Sequence, residues 1–231
     1  MASQLIITCE HGGNRVPTPY RGLFRGHQQT LASHRGYDQG ALTLARAFAR
    51  TYSAPLIHST ITRLLVDLNR SRGHQQVFSE FTKQLSVLEQ DRILTEYYEP
   101  YRQQVEGLVE QLVKRAHRVV HLSVHSFTPE LHGVQRTADV GLLYDPRRTT
   151  ERRFCENWRR QLSRLAFPLG IRRNYPYLGR ADGLTTALRQ RFGNAHYAGI
   201  ELEINQLWPH SSQSKWRWCC QQLVASLPPL A

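Results

Sequence analysis

Val119-Val120-His121-Leu122-Ser123-Val124-His125-Ser126-Phe127 is the stretch on which the reading of this chain turns. Its β-branched and apolar residues describe a short buried strand, and that strand runs directly into a histidine. In open α/β sheets, ligands and reactive groups gather at the C-terminal ends of strands, so His125 stands where a metal ligand or a base would stand. The competing reading is a loop or core histidine bonded to a backbone carbonyl. Other strand ends decide between the two.

Leu5-Ile6-Ile7-Thr8 is a second apolar strand, and it breaks into Cys9-Glu10-His11-Gly12-Gly13-Asn14-Arg15-Val16-Pro17. The paired glycines permit a sharp turn just past His11 and close approach of the backbone to a ligand. His34-Arg35-Gly36-Tyr37-Asp38-Gln39-Gly40 leads into a helix on which Ala41, Leu44, Ala45, Phe48, Ala49 and Tyr52 recur with helical period. Asp38 at its start is either an N-cap or a carboxylate ligand. Tyr197 to Asn205 alternates strictly, with Ile200, Leu202 and Ile204 on one face and Glu201, Glu203 and Asn205 on the other. An exposed edge strand would explain two glutamates on one face; so would reactive carboxylates at a strand end.

Between these stretches, Pro55–Ser59 and Arg63–Leu68 read as further strands, the second ending in Asp67-Leu68-Asn69-Arg70-Ser71. Arg63, Asn69 and Arg70 supply fork donors suited to a carboxylate, with Asp67 a partner for one of the arginines. Residues 81–118 read as mostly helical scaffold with a break near Pro100. Val140–Tyr144 reads as a strand and Thr149–Leu165 as an amphipathic helix burying Phe154, Trp158, Leu162 and Leu165. A turn-rich loop over 174–183, a short helix over 184–192 and a final helix over 214–226 complete the chain. No repeat or linker divides it, so a single α/β domain with a mixed, mostly parallel sheet flanked by helices is expected.

Composition narrows the classes. Of 231 residues, 40% are hydrophobic and 21% charged, which are globular values. No apolar run approaches the ~20 residues of a membrane span, and the N-terminus carries neither a basic segment nor a long apolar one, so a cytoplasmic location is expected. Cys9, Cys155, Cys219 and Cys220 lack CxxC spacing and read as reduced thiols. The net charge of +12 comes mostly from scattered arginines. It suits a small anionic substrate, and no recognisable nucleic-acid module surrounds the clusters.

His11, Asp38 and His125 can fill three of the four positions of a catalytic zinc site, leaving one for water whose pKa the metal lowers. Glu203 or Glu201 is then the base, with Arg63, Asn69, Arg70 and Arg136 around the substrate. The runs Cys9–Pro17, Leu65–Ser71, Ser123–Phe127 and Ile200–Asn205, taken jointly and in order, resemble the N-formylglutamate amidohydrolase family over residues 5–210. That resemblance implies a fold like that of zinc carboxypeptidases and amidases. It also implies hydrolysis of N-formyl-L-glutamate, or a similar N-acyl amino acid, to formate and the free amino acid. By the same likeness His11, Asp38 and His125 are the metal ligands, and Glu203 matches the base better than Glu201. After Glu203 the chain reads Ile204-Asn205-Gln206-Leu207-Trp208, a departure from the tyrosine-and-acid continuation of the histidine-degrading members. The alternatives are a zinc carboxypeptidase or amidase acting on another acidic amide or a cell-wall peptide, and a non-catalytic basic protein that binds RNA.

Overall fold

The computed structural model describes residues 3–115, 118–165 and 169–230. Its strands are β1 (Ser3–Cys9), β2 (Leu56–His58), β3 (Arg118–Phe127), the short pair β4 (Glu130–Leu131) and β5 (Val134–Gln135), then β6 (Val140–Leu143), β7 (Ile171–Arg173) and β8 (Tyr197–Asn205). Six of them form one sheet in the order β2-β1-β3-β8-β6-β7, and β4 pairs with β5 alone. The first four positions are mutually parallel; β6 runs antiparallel to β8, with β7 parallel to β6. The expected mixed, mostly parallel α/β sheet is therefore present.

Helices cover both faces. They are α1 (Gln28–Ala32), α2 (Ala41–Thr51), α3 (Val87–Ile93), α4 (Glu99–Lys114), α5 (Thr149–Leu162), α6 (Leu184–Arg191) and α7 (Gln213–Ala225). Side-chain alternation along β3 sorts the two layers. Val120, Leu122 and Val124 join Leu44 and Phe48 of α2, Trp158 of α5 and Leu223 of α7 in one apolar cluster. Val119 lies on the other face with Val105 and Val109 of α4 and Leu184 and Leu188 of α6. His121, Ser123 and His125 share the parity of Val119, so the polar residues of β3 lie under α4 and α6.

From β1 the chain runs through α2, on one face, to β2 at the sheet edge. It returns through α4, on the opposite face, to β3 on the other flank of β1. Strand order thus reverses at β1 and β3, and a crevice opens outside their carboxyl ends. His11 and His125 stand at that crevice.

Some elements differ from expectation. Residues 63–68 are not a strand but a buried series of turns. Leu64, Leu65, Val66 and Leu68 are all buried, without the alternation a half-buried strand would show. Their backbone is satisfied by groups further along the chain: Asp67 N–H donates to Val77 O at 2.8 Å, Thr82 to Leu65 O at 3.0 Å and Arg102 to Leu68 O at 3.3 Å. The 81–118 helix begins only at Val87, and residues 116–117 lie outside the described residues. The expected break near Pro100 takes the form of a π-helical interruption rather than a loop. A π-helical segment, Leu94–Tyr98, precedes α4 and places Pro100 in that helix's first turn. The wider turn accommodates the N–H that proline lacks and the bulk of its ring. α5 ends at Leu162, short of Leu165. The α1 turn, β4, β5 and β7 are too short for a periodicity to announce them. All four cysteines are buried and free. Among the described residues no helix is long and apolar enough to cross a membrane.

Candidate active site

The paired glycines after β1 do approach a backbone, but it is the chain's own. A Cβ on Gly12 would lie 2.8 Å from Ser59 O, and one on Gly13 2.8 Å from Thr60 O. This turn sends the chain back past β2 and leaves His11 buried at the crevice. Asp38 N–H donates to His11 O at 2.9 Å, tying the α2 approach to the same turn. Asp38 is not the N-cap of α2; that position is Gly40, and the Asp38 carboxylate turns inward instead.

Inside, Asp38 Oδ2 lies 3.3 Å from His11 Nδ1 and 2.9 Å from His125 Nδ1. One ligand atom from each of these three buried residues falls within 4.8 Å of the others. The far nitrogen of each histidine meets a second carboxylate: His11 Nε2 is 2.8 Å from Asp67 Oδ1, and His125 Nε2 is 3.1 Å from Glu10 Oε2. Ser123 donates to Glu10 at 2.6 Å, so its oxygen is free to accept from His125 Nε2 at 2.8 Å. These partners put the ring hydrogens on both Nε2 atoms. Both Nδ1 lone pairs then face the Asp38 carboxylate, and three acceptors converge with no hydrogen among them.

Such a convergence requires a cation or additional protons. Three buried carboxylates, Glu10, Asp38 and Asp67, face one guanidinium, Arg63, which reaches Asp67 at 2.7 Å and Asp38 at 3.3 Å. Two negative charges remain, which a divalent cation balances; the donor set therefore fits a metal. Without one, protons are drawn in. Burial opposes the charge on His125, yet the hydrogen bonds and charges of Asp38 and Glu10 raise its pKa well above the usual imidazole value. Burial and Arg63 likewise oppose protonation of His11, and Asp67 and Asp38 outweigh them. Burial would raise the Glu10 and Asp67 carboxyls, but His125 and Ser123 for the first, and Arg63 and His11 for the second, hold them well below the ordinary range.

Glu203 differs from all of these. It pairs with His125 in register, across the centre of the sheet rather than at an edge. Its Oε2 is buried and has no hydrogen-bond partner among the described residues. Burial first, then the charges of Asp38 and Glu201, outweigh His125 and Arg63 and push its pKa up to about 8. Glu201, two residues earlier on the same face, is half-buried and accepts from Thr185 of α6 at 2.6 Å.

A cavity of about 180 Å³ joins these groups, lined by His11, Asp38, Arg63, Asn69, Arg70 and His125 among others, with Glu201 and Glu203 in its wall. It opens past Asp38, Arg63, Ser126 and Tyr177 into an outer cleft of about 600 Å³. Of the sequence-expected polar residues, Asn69 and Arg70 line the inner cavity. Asn69 Oδ1 also accepts from Leu184 N–H, which starts α6, and Arg70 donates to Asp182 O at 3.1 Å. Arg136 does not line it. Its guanidinium lies 5.9 Å from the Phe127 ring centre and 5.2 Å from that of Tyr177, at the rim. Sequence reading missed Glu10, although it adjoins His11, because its partner His125 lies on another strand. Asp67 was expected beside an arginine, which Arg63 bears out, but not beside His11.

Fold and site together define a class: single-domain α/β proteins that assemble polar groups at the carboxyl ends of a mostly parallel sheet. More narrowly, the chain belongs to the N-formylglutamate amidohydrolase family, whose model matches residues 3–208. Two solved structures share the fold. One is the gene product Atu2144 of Agrobacterium tumefaciens, with TM-score 0.81, 23% identity, and coverage of 97% of this chain and 90% of that one. The other is the N-formylglutamate amidohydrolase of Ralstonia eutropha JMP134, with TM-score 0.70, 19% identity, and coverage of 98% and 92%. No curated protein matches significantly.

Proposed function

We propose that this protein is a metal-dependent amidohydrolase that cleaves the amide of a small N-acyl amino acid, with N-formyl-L-glutamate as the reference substrate. Family membership supports the hydrolysis. The observation that carries the mechanism is the convergence of His11, Asp38 and His125 beside a carboxyl oxygen with no hydrogen-bond partner among the described residues, Glu203 Oε2. A divalent metal, zinc in this reading, would be held by those three residues and, when bound, supplies the Lewis acidity that acidifies water and polarises an amide carbonyl.

The chain's own groups do the rest. Glu203 takes a proton from the attacking water and returns it to the amide nitrogen as the C–N bond breaks. The water oxygen ends in the carboxylic acid, formate for a formyl group, and the nitrogen leaves as the free amine. Burial and the neighbouring carboxylates raise the Glu203 carboxyl above the ordinary range, so it holds a proton more readily than an exposed glutamate and can return the one it takes. Arg70 and Asn69 face the substrate's carboxylate, Arg63 holds Asp38 and Asp67 in place, and Arg136 stands at the rim to meet an anionic substrate. A cytoplasmic location goes with this reading.

Metal content of the purified protein, paired with formate release from N-formyl-L-glutamate, tests it. About one zinc per chain with formate release supports both halves. Metal without turnover of any N-acyl amino acid refutes the reaction, and turnover by a metal-free chain refutes the mechanism.

A further inference from the structure

The chain carries a net charge of +12, but its inner cavity is not basic. Much of the excess lies far from the site: Arg152, Arg153, Arg159 and Arg160 on α5, and Arg172 and Arg173 on β7, are exposed on one edge. Inside the cavity the arginines divide sharply. Arg63 is already engaged with Asp38 and Asp67. Arg136 is outside, packed on the Phe127 and Tyr177 rings. Arg70 alone lines the inner cavity without a carboxylate partner among the described residues, its Nη1 donating to the Asp182 carbonyl.

The same cavity wall carries two carboxylates, Asp182 and Glu201, that form no ion pair among the described residues, with Arg189 bearing on Glu201 only through space. Asp182 accepts from the backbone N–H and the hydroxyl of Ser71. Glu201 accepts from Thr185 through Oε1 and forms no ion pair among the described residues. Nor can Glu201 swing away easily. Its backbone is held between Ser123 of β3 and Leu143 of β6, and its Oε1 is bound by a residue of α6. Beyond the metal donors, and beyond Arg63 and Glu203, the wall therefore offers one guanidinium, Arg70, and two carboxylates, Asp182 and Glu201.

We infer that Glu201 is a specificity residue, selecting N-acyl amino acids whose side chain ends in a hydrogen-bond donor, an amide or a cation, over dicarboxylates. The single α-carboxylate of such a substrate is met by Arg70. A donor on its side chain completes Glu201, whereas a second carboxylate would meet Glu201 and Asp182 while the other guanidinium of the inner cavity, Arg63, is already held by Asp38 and Asp67. Rejection of that kind is an introduced repulsion rather than a lost contact. This inference rests on the amidohydrolase reading, and it sets the preferred substrate apart from the reference one.

The test uses an isosteric pair, N-formyl-L-glutamine and N-formyl-L-glutamate, with the metal-loaded protein. Wild-type kcat/KM should favour the glutamine compound by about tenfold or more, as expected for one unpaired like charge in a partly buried site. Glu201→Gln should shrink or reverse that ratio. A wild-type preference for the glutamate compound, or an unchanged ratio in Glu201→Gln, overturns the inference. Equilibrium binding of both compounds to the Glu203→Gln variant separates this failure from that of the reaction. If both bind with the same preference while wild type hydrolyses neither, the amidohydrolase reading fails and the selectivity stands. If neither binds, the selectivity falls as well.

Discussion

Replacing Glu10 by glutamine changes one carboxylate oxygen to an amide nitrogen in a fully buried site, and the surroundings make that a severe change. Tyr101 donates to Oε1 at 2.9 Å, Ser123 donates to Oε2 at 2.6 Å, and His125 Nε2 lies 3.1 Å from Oε2. A carboxylate accepts all three hydrogens. A glutamine accepts on one oxygen only, so its NH₂ must face at least one donor. A buried donor left without a partner costs about 1–3 kcal/mol. In a chain of this size each kcal/mol moves Tm by about 2–4 °C, so a fall of roughly 4–8 °C is expected for a middle value of 2 kcal/mol. The second effect is specific. Glu10 sets the tautomer and orientation of His125, and losing such a partner should weaken metal binding by about 10- to 100-fold. Chelator competition on the folded variant measures this directly, without any activity assay. Tyr101→Phe removes one donor and keeps the carboxylate, so it should lower Tm while leaving metal affinity near wild type. If Glu10→Gln lowers Tm but binds metal as tightly as wild type, Glu10 has only a structural role and the ring-orientation argument is wrong.

Other outcomes follow from the same geometry. His11→Ala or His125→Ala should abolish stoichiometric metal binding, whereas Glu203→Gln should retain the metal and lose about a hundredfold to ten-thousandfold in kcat; full activity in Glu203→Gln would remove it as the base. Glu151 is fully buried, bonded to Arg189 at 2.9 Å and to the Gly199 N–H at 3.0 Å. Glu151→Ala strands that guanidinium and should cost about 3–5 kcal/mol in chemical denaturation. His121 is buried between Thr8 and Tyr197, and burial lowers its pKa to about 4. The unfolded ring takes up its proton near 6.5, so this site favours unfolding as pH falls from about 6.5 to about 4, by about 3 kcal/mol in total. His121→Gln should flatten that part of the stability profile, and an unchanged slope would mean that other groups carry it.

Much of the fold was legible because it depends on local pattern. β3 and β8 are buried on both faces and read as strands from composition and alternation, while the Ala41-Leu44-Ala45-Phe48 spacing announced α2 directly. Arg63–Leu68 misled because a run of buried apolar residues looks alike in a strand and in a tightly packed turn. Only the positions of Val77, Thr82 and Arg102, distant in sequence, decide which one forms. Pro100 announced an interruption but not its form, because whether a proline ends a helix or only widens the preceding turn depends on packing, and here the turn widens.

The sequence by itself determined which residue types stand at the strand ends: His11 after one strand, His125 closing another, Asp38 before a helix, and Glu201 and Glu203 on one face of a third strand. Those assignments need only the period of a strand and the order of the chain. Partnership was decided by the tertiary structure alone. Glu10 neighbours His11 in sequence yet holds His125, and Asp67 reaches His11 from a loop more than fifty residues away. Arg63 is turned to carboxylates rather than left free, and Arg136 is kept at the rim. The physical reason is that hydrogen bonds and charge balance act over a few ångströms in space. Which charges meet depends on strand order and crossover, and neither is written in any single stretch of the chain.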